Sequence, residues 1–427
     1  MKNALRYTMR SAVSILLLFM ASVLVQAQTV AGRLLGDKQE IEVPFEYRNG
    51  FMVVQLVLQK LLPMRFIIDT GAENTILLKR HYAEALRLPY HKTIRLLGSD
   101  MSREVNAFVS NGAYIQLINA PAVRHNIIIL EDEYLTLEEY IGARVDGILG
   151  AEFFRDMVLK IDYRRQMIIM SGKGRYSQRQ LSKYEAFDLE IIGRKPYLLC
   201  DAEVNPGETA ELRMLIDTGA GLSVLFHQNT DSLLQYHGEI VKGSLGKGLG
   251  GDIEGFSGKI HRFSIGDFMF RNMISSFQVL DETTLKQEQV ARNGLIGNLL
   301  LSRFEIILDL ADRKLYLKAR KKYNEAFEFD KSGLTLFAFG PQLNKYYVRH
   351  IVGGSPAYEA GFKEGDIIQR VGWWPARMLS LQQINHALSG KIGKEVSFTI
   401  TRNGEKLKKT IRLRDLFTDN TANDSGI

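Results

Sequence analysis

Three landmarks occur twice in this chain, in the same order and at nearly the same spacing. "FIIDTGAEN" holds Asp69-Thr70-Gly71-Ala72, and "RMLIDTGAGLSVLF" holds Asp217-Thr218-Gly219-Ala220, an offset of 217 − 69 = 148. Ile148-Leu149-Gly150 is followed by Leu295-Ile296-Gly297, an offset of 295 − 148 = 147. Asp162 in "MVLKIDYRRQMIIM" is followed by Asp309 in "FEIILDLADRKLYLK", and 309 − 162 = 147. One Asp-Thr-Gly after an apolar run reads first as a strand-end turn, because Asp and Gly are common turn residues. Ordered repetition at a fixed period means instead that one structural unit is built twice.

Each copy reads as β structure. Short runs such as "FMVVQLVL", "NIIIL" and "VLKIDY" in the first copy, and "YLLCDAEV", "SSFQVL" and "KLYLK" in the second, are broken by Gly, Asn and Asp turns. A short helix is expected after each apolar-apolar-Gly element, at "AEFFRD" and "NLLLSRF". Hydrophobic residues make up 45% of the 427 and charged residues 24%, which fits a globular chain of two or three domains.

The duplicated pattern resembles the pepsin-type aspartic peptidases, and its Asp-Thr-Gly-Ala form is most similar to the retroviral (retropepsin) branch, here doubled within one chain of bacterial exported type. The resemblance covers roughly residues 40–320. It implies an all-β bilobal aspartic-protease fold, with one lobe over 28–180 and a second over 181–322. It also implies Asp69 and Asp217 as catalytic residues. The chemistry agrees with these residue types. Peptide hydrolysis needs a base for water and an acid for the carbonyl oxygen, and two close carboxyls sharing one proton supply both. By the same resemblance Thr70, Gly71, Thr218 and Gly219 support the active-site loops, the threonines by hydrogen bonds across the lobe junction. Ile148, Leu149, Gly150, Leu295, Ile296 and Gly297 pack behind them.

A hairpin flap over the substrate is part of that family's design. "KGSLGKGLGGDIEG", Lys242 to Gly255, is the candidate in the second copy, with a plain mobile loop as the other reading. "RLLGSDMSREV", Arg95 to Val105, is the counterpart in the first. It lacks the tyrosine that pepsins carry there, so which lobe supplies the working flap stays open.

Past Lys322 the pattern changes. "KYYVRHIVGGSPAYEAGFKEGDIIQRVGWWPA" and "EVSFTITRNGEKLKKTIRL" resemble a bacterial-type PDZ domain, a small α+β module, over 328–415. Pro356 opens a helix that Gly361 closes, and Gly365-Asp366 turns into the next strand. The resemblance implies binding of peptide or protein C-termini by strand addition. The carboxylate loop would be Gly333, Leu334, Thr335 and Leu336, and the groove helix Ser380 to Leu388. Trp373 and Trp374 are either a packing plug or an exposed patch. The tail 416–427 reads as polar and disordered.

At the other end, Lys2, Arg6 and Arg10 precede the apolar "SAVSILLLFMASVLV" and then Val25-Gln26-Ala27. This pattern reads as a signal peptide, 1–27, directing export, most simply to a bacterial periplasm. An uncleaved membrane anchor is the alternative, and no lipid anchor is expected because no cysteine follows the apolar run. Residues 28–45 are the candidate for a removable pro-segment. The single cysteine, Cys200, forms no intrachain disulfide and reads as a small buried residue. The net charge of +7 falls to 7 − 3 = +4 without Lys2, Arg6 and Arg10. The basic runs lack interleaved aromatics, so no nucleic acid partner is expected. The histidines show no ligand spacing, so no metal and no cofactor is implied. A monomer acting on peptide or protein substrates is the leading reading. A non-catalytic peptide-binding scaffold that keeps the bilobal fold is the alternative.

Overall fold

The computed structural model describes residues 34–90, 92–97, 104–131, 137–248, 251–281 and 292–417. The candidate signal peptide, the tip of the Arg95–Val105 segment and most of the tail lie outside these residues.

The sequence repeat is also a repeat of strand pairings. In the first unit Leu62–Asp69 runs parallel to Gly147–Gly150, with Asp69 opposite Gly150. Ile76–Leu77 lies antiparallel on the far side of that short strand. In the second unit Ala210–Ile216 runs parallel to Gly294–Ile296, and Val224–His227 lies antiparallel beyond it. Phe51–Leu58 pairs with both Leu62–Asp69 and Glu104–Leu117. Lys195–Glu203 pairs in the same way with Ala210–Ile216 and Gly251–Ile265. The expected helices form as a 3-10 turn at Ala151–Phe154 and a helix at Asn298–Leu301. "FMFRNM" and "SSFQVL", read separately from sequence, belong to one strand, Phe268–Gln278. No glycine or proline separates them.

Val158–Asp162 and Phe304–Asp309 join the units by pairing antiparallel. Lys160 faces Ile307, and 307 − 160 = 147 is the landmark offset itself. Repeat-equivalent residues therefore meet face to face, which puts a pseudo-twofold axis between them. Leu159, Ile161, Ile306 and Leu308 are buried beside it. Asp162 and Asp309 close turns, accepting from the backbone N–H of Arg164 and of Asp312. The strand Glu40–Arg48 pairs on both sides and buries Ile41, Val43 and Phe45. Loss of residues 28–45 as a pro-segment would remove most of it, so that expectation does not fit the sheet.

The C-terminal module has its own core, including Leu336, Val348, Ile368, Ile384 and Phe398. Its strands run in the order Leu334–Phe339, Lys345–Ile351, Ile367–Val371, Glu395–Arg402, Glu405–Arg412. Ser355 caps the helix Pro356–Glu359, and Gly361 leaves it at φ +71°. Ser380 and Gln383 form a capping box on Leu381–Leu388. Trp373 and Trp374 are 90% and 60% exposed, which rules out the packing-plug reading.

The module is not loosely strung. Tyr323 and Phe327 in the connector pack on Phe270, and Arg303 lies over Phe327. The start of the tail departs from the expectation of disorder. Leu416 and Phe417 are buried with Val241 and packed against by Ile274, and Asp415 pairs with Lys259 at 2.6 Å. Two adjacent large apolar side chains gain more from burial than the polar remainder of the tail suggests.

The sheet across the axis makes a test. Leu308→Ala deletes a fully packed side chain beside the pseudo-twofold. It should cost about 2–5 kcal/mol in denaturant unfolding, with both β units lost in one transition.

Candidate functional site

Each apolar strand delivers an aspartate at its end. Phe66, Ile67 and Ile68 are buried before Asp69, as are Met214, Leu215 and Ile216 before Asp217. The chain then turns so that its own N–H groups point back at the carboxylate. Asp69 Oδ1 accepts from the N–H of Gly71 at 2.7 Å and of Ala72 at 2.8 Å. Asp217 Oδ1 accepts from the N–H of Gly219 at 2.8 Å.

The threonines bind the two loops together. The N–H of Thr70 donates to Thr218 Oγ1 at 3.0 Å, and the N–H of Thr218 donates to Thr70 Oγ1 at 3.1 Å. Each hydroxyl then donates onward into the opposite strand, Thr70 to Ile216 O and Thr218 to Ile68 O. All four bonds are buried, where an unmade bond is costly.

Glycine is required here for close approach. A Cβ on Gly71 would stand 2.5 Å from Cγ of Asp217, and one on Gly219 would stand 2.2 Å from Cγ of Asp69. Each carboxyl rests on the other loop's glycine, and the charge of Asp217 acts on Asp69 across the junction. Behind them, the N–H of Ala151 donates to Ala72 O and that of Asn298 to Ala220 O, both at 2.8 Å. A Cβ on Gly150 or Gly297 would meet a loop carbonyl at 2.3 Å. The structure thus brings together Asp69, Thr70, Gly71, Asp217, Thr218 and Gly219, with 148–150 and 295–297 directly behind.

The symmetry of the pair is broken by charge. Burial holds Asp69 well above the ordinary carboxyl range, and the charge of Asp217 pushes the same way. Burial raises Asp217 too, but the Gly219 N–H, the Arg292 guanidinium, the Asp69 hydrogen bond and Lys195 pull it back. Both carboxyls are thus raised, and the positive charges of Arg292 and Lys195 act on the Asp217 side of the pair. Arg292 is 1% exposed and occupies the position of buried Val145 in the first unit (292 − 147 = 145). His227, also fully buried, stands where the first unit has Leu78. The N–H of each donates to the repeat-equivalent carbonyl, Asn293 O or Asp146 O. Burial first, then Arg292, holds His227 far below its usual pKa, so its ring is neutral. Asn298 replaces Ala151 (298 − 147 = 151). Its side chain donates to Thr218 O and accepts from Tyr163 OH at 2.6 Å. Sequence reasoning passed over Asn298, Arg292 and His227. A position-by-position comparison of the two copies would have marked them, because each is polar where its counterpart is apolar.

Both expected hairpins form. Lys92–Leu97 pairs with Glu104–Leu117, and Ile240–Gly248 with Gly251–Ile265. The second one covers a cavity of about 50 Å3 that Asp217, Gly219, Leu245, Gly246 and Ile253 line. It also touches the C-terminal module. Lys247 bonds Asp252 at 2.9 Å and lies over Phe337, and Asp252 pairs with Arg349 at 3.1 Å. Tyr140 fills the corner between Phe51 and Phe337.

Within that module the expected carboxylate loop is arranged differently from its expectation. The N–H of Gly333 donates to Asp330 Oδ2 at 2.6 Å, and that of Leu334 to Ser332 Oγ at 3.0 Å. Thr335 and Leu336 lie within the edge strand Leu334–Phe339. Two of the expected anion donors are therefore occupied by the chain itself.

Residues 327–413 match the family model described as "PDZ domain", and the chain carries a PDZ domain there. The chain is 40% identical over 82 residues to the serine protease Do-like HtrA of Bacillus subtilis (strain 168). That match covers 18% of this chain and 18% of the relative, so the chain spans less than a fifth of that protein's length. A PDZ domain binds peptide segments along its edge strand.

Burial of the pair has a consequence for stability. The folded pKa of Asp69 lies above its ordinary value of 3.8. The folded state is then favoured below about pH 3.8 and loses that advantage as pH rises through the folded value. Asp69→Asn removes the titration. Its melting temperature should exceed the wild type's at pH 7 to 8, with the gap closing as pH falls toward 4. A gap of constant size across that range would count against a shared, displaced proton.

Proposed function

We propose that this chain is an aspartic-type endopeptidase with an attached PDZ domain. One observation carries the reading: two Asp-Thr-Gly loops, related by an internal repeat, whose carboxyls lie against each other while their threonines cross-bond. The HtrA relative is by name a serine protease, which agrees with proteolysis as the reaction, whereas the catalytic groups proposed for this chain are carboxylates. On this reading residues 28–180 and 181–322 form the two lobes of an aspartic-protease fold. Residues 1–27 serve as an export signal, and the periplasm is the site of action.

The positive charges of Arg292 and Lys195 on the Asp217 side support one assignment of roles. Asp217, ionised, takes a proton from a water as the water oxygen bonds to the scissile carbonyl carbon. Asp69, protonated, gives its proton to the carbonyl oxygen. In the resulting tetrahedral diol the C–N bond breaks, the nitrogen receives the proton held by Asp217, and Asp69 recovers one from a diol hydroxyl. No charge has to be created in the buried site beyond the one already there, which keeps the desolvation cost constant through the reaction. The hairpin Ile240–Ile265 supplies the cover on the Asp217 side.

Two outcomes test the proposal. Asp69→Asn and Asp217→Asn should each abolish nearly all cleavage of a peptide library, and the double variant should cost little more, because members of one catalytic unit are non-additive. Folded single variants that retain most activity would favour the scaffold reading. The pH–rate profile should peak in the weakly acidic to near-neutral range. Ala72 offers Asp69 a backbone N–H and no hydroxyl, so no side-chain donor at that position favours the ionised form. A maximum near pH 2 to 3 would contradict this.

A further inference from the structure

We propose that the PDZ groove of this chain takes an internal, carboxylate-free segment of an extended polypeptide, because the chain's own Asp330 fills the place of a ligand's C-terminal carboxylate. This concerns the ligand of the PDZ domain and stands whether or not the aspartate pair is catalytic.

The argument begins with donors. A free C-terminus is captured by successive backbone N–H groups that converge on its two oxygens. Here three successive N–H groups already converge on groups of the same loop. Asp330 Oδ2 accepts from the N–H of Ser332 at 3.2 Å and of Gly333 at 2.6 Å. Asp330 Oδ1 accepts from Ser332 Oγ–H at 2.6 Å, and Ser332 Oγ in turn accepts from the N–H of Leu334. Burial pushes the Asp330 pKa up to about 6, against the pull of these bonds, which leaves it ionised at neutral pH.

Asp330 is also held in place. The N–H of Lys331 donates to Leu388 O at 3.0 Å, and Lys331 Nζ donates to Ser389 O and Gly390 O, both at 2.8 Å. The residue after Asp330 is thus fastened to the end of the groove helix. Gly333, at φ +78°, is pressed so close to Ser355 that a Cβ would stand 2.2 Å away. An incoming carboxylate would have to break this arrangement and then sit beside a second negative charge.

The groove beside the loop is nevertheless open. A cavity of about 840 Å3 lies between Leu334–Leu336 and the helix residues Gln382 and His386. It continues past Tyr140 to Gly50 and to Gly221, just beyond the Asp217-Thr218-Gly219 loop. The strand Leu334–Phe339 pairs with a strand on one side alone among the described residues; on the other, Tyr140 of the helix Leu137–Ile141 packs on Phe337, which leaves Leu334–Leu336 as the open part of the edge. A chain that adds to this edge meets the Asp330 carboxylate and the N–H groups it already holds where a C-terminus would end, and it finds a path toward the carboxyl pair. That geometry suits a segment which continues at both ends.

The test uses the full chain carrying Asp69→Asn, so that bound peptide is not consumed. Fluorescence anisotropy is read with dansyl-labelled decapeptides randomised over Val, Leu, Phe and Ala, prepared as the free acid, as the C-terminal amide, and embedded between blocked flanking residues. Amide and embedded peptides should bind within about twofold of each other and at least as tightly as the acid. A free acid that binds tenfold or more tightly than the amide overturns the proposal, as does failure of a folded protein to bind any of the three. In Asp330→Ala the freed N–H groups should reverse the order, with the acid gaining about tenfold over the amide. No gain in a variant of unchanged melting temperature would show that Asp330 does not stand in for a ligand carboxylate. Cleavage of the same decapeptides by the unaltered chain is scored separately. Binding without cleavage sinks the peptidase reading and leaves this one intact.

Discussion

Four buried hydrogen bonds between Thr70 and Thr218 and the strands that face them hold the two halves of the site in register. Each loop satisfies the other's backbone, so neither is complete alone. The close approach at Gly71 and Gly219 follows from this lock, since it sets each carboxyl on the opposite glycine. The antiparallel pair across the pseudo-twofold axis performs the same task one layer further out. Lys160 opposite Ile307 fixes the rotation between the units, and the threonine lock fixes their separation.

A site with perfect twofold symmetry would have two equal carboxyls. Fusion of both copies in one chain lets their surroundings diverge. Arg292, His227 and Asn298 appear in the second copy where the first has Val145, Leu78 and Ala151. A buried cation near one member of the pair favours charge there and leaves the proton on the other. Asn298 adds a polar brace to Thr218 that Thr70 does not receive from the corresponding position.

The duplicated frame was legible in the sequence because period and order survive in the apolar runs and in Asp-Thr-Gly. The PDZ domain was legible for a similar reason. Pro356, Gly361 and Gly365-Asp366 mark its turns, and Arg402-Asn403-Gly404 its last hairpin. Less legible was whatever depends on partners distant in sequence. Nothing local announces that Leu416 and Phe417 dock on Val241, or that Asp330 turns back onto the N–H groups of Ser332 and Gly333. The break in symmetry at Arg292 was open to inspection in the aligned copies, but only the fold shows that the side chain is buried and that its charge acts on Asp217. The strand at Glu40–Arg48 begins inside the segment 28–45 that the sequence offers as disposable. Pairing on both its edges speaks against that reading.

The hairpin over Asp217 is fastened at its tip to the PDZ domain, through Lys247, Asp252 and Arg349. Near its base Lys259 holds Asp415, just past the last PDZ strand. Such fastening has a thermodynamic corollary. If occupancy of the PDZ groove alters the free energy of the hairpin's closed position, then occupancy of the cleft alters the affinity of the groove by the same factor. The two compartments are then one reciprocal system, in which neither acts as sender or receiver.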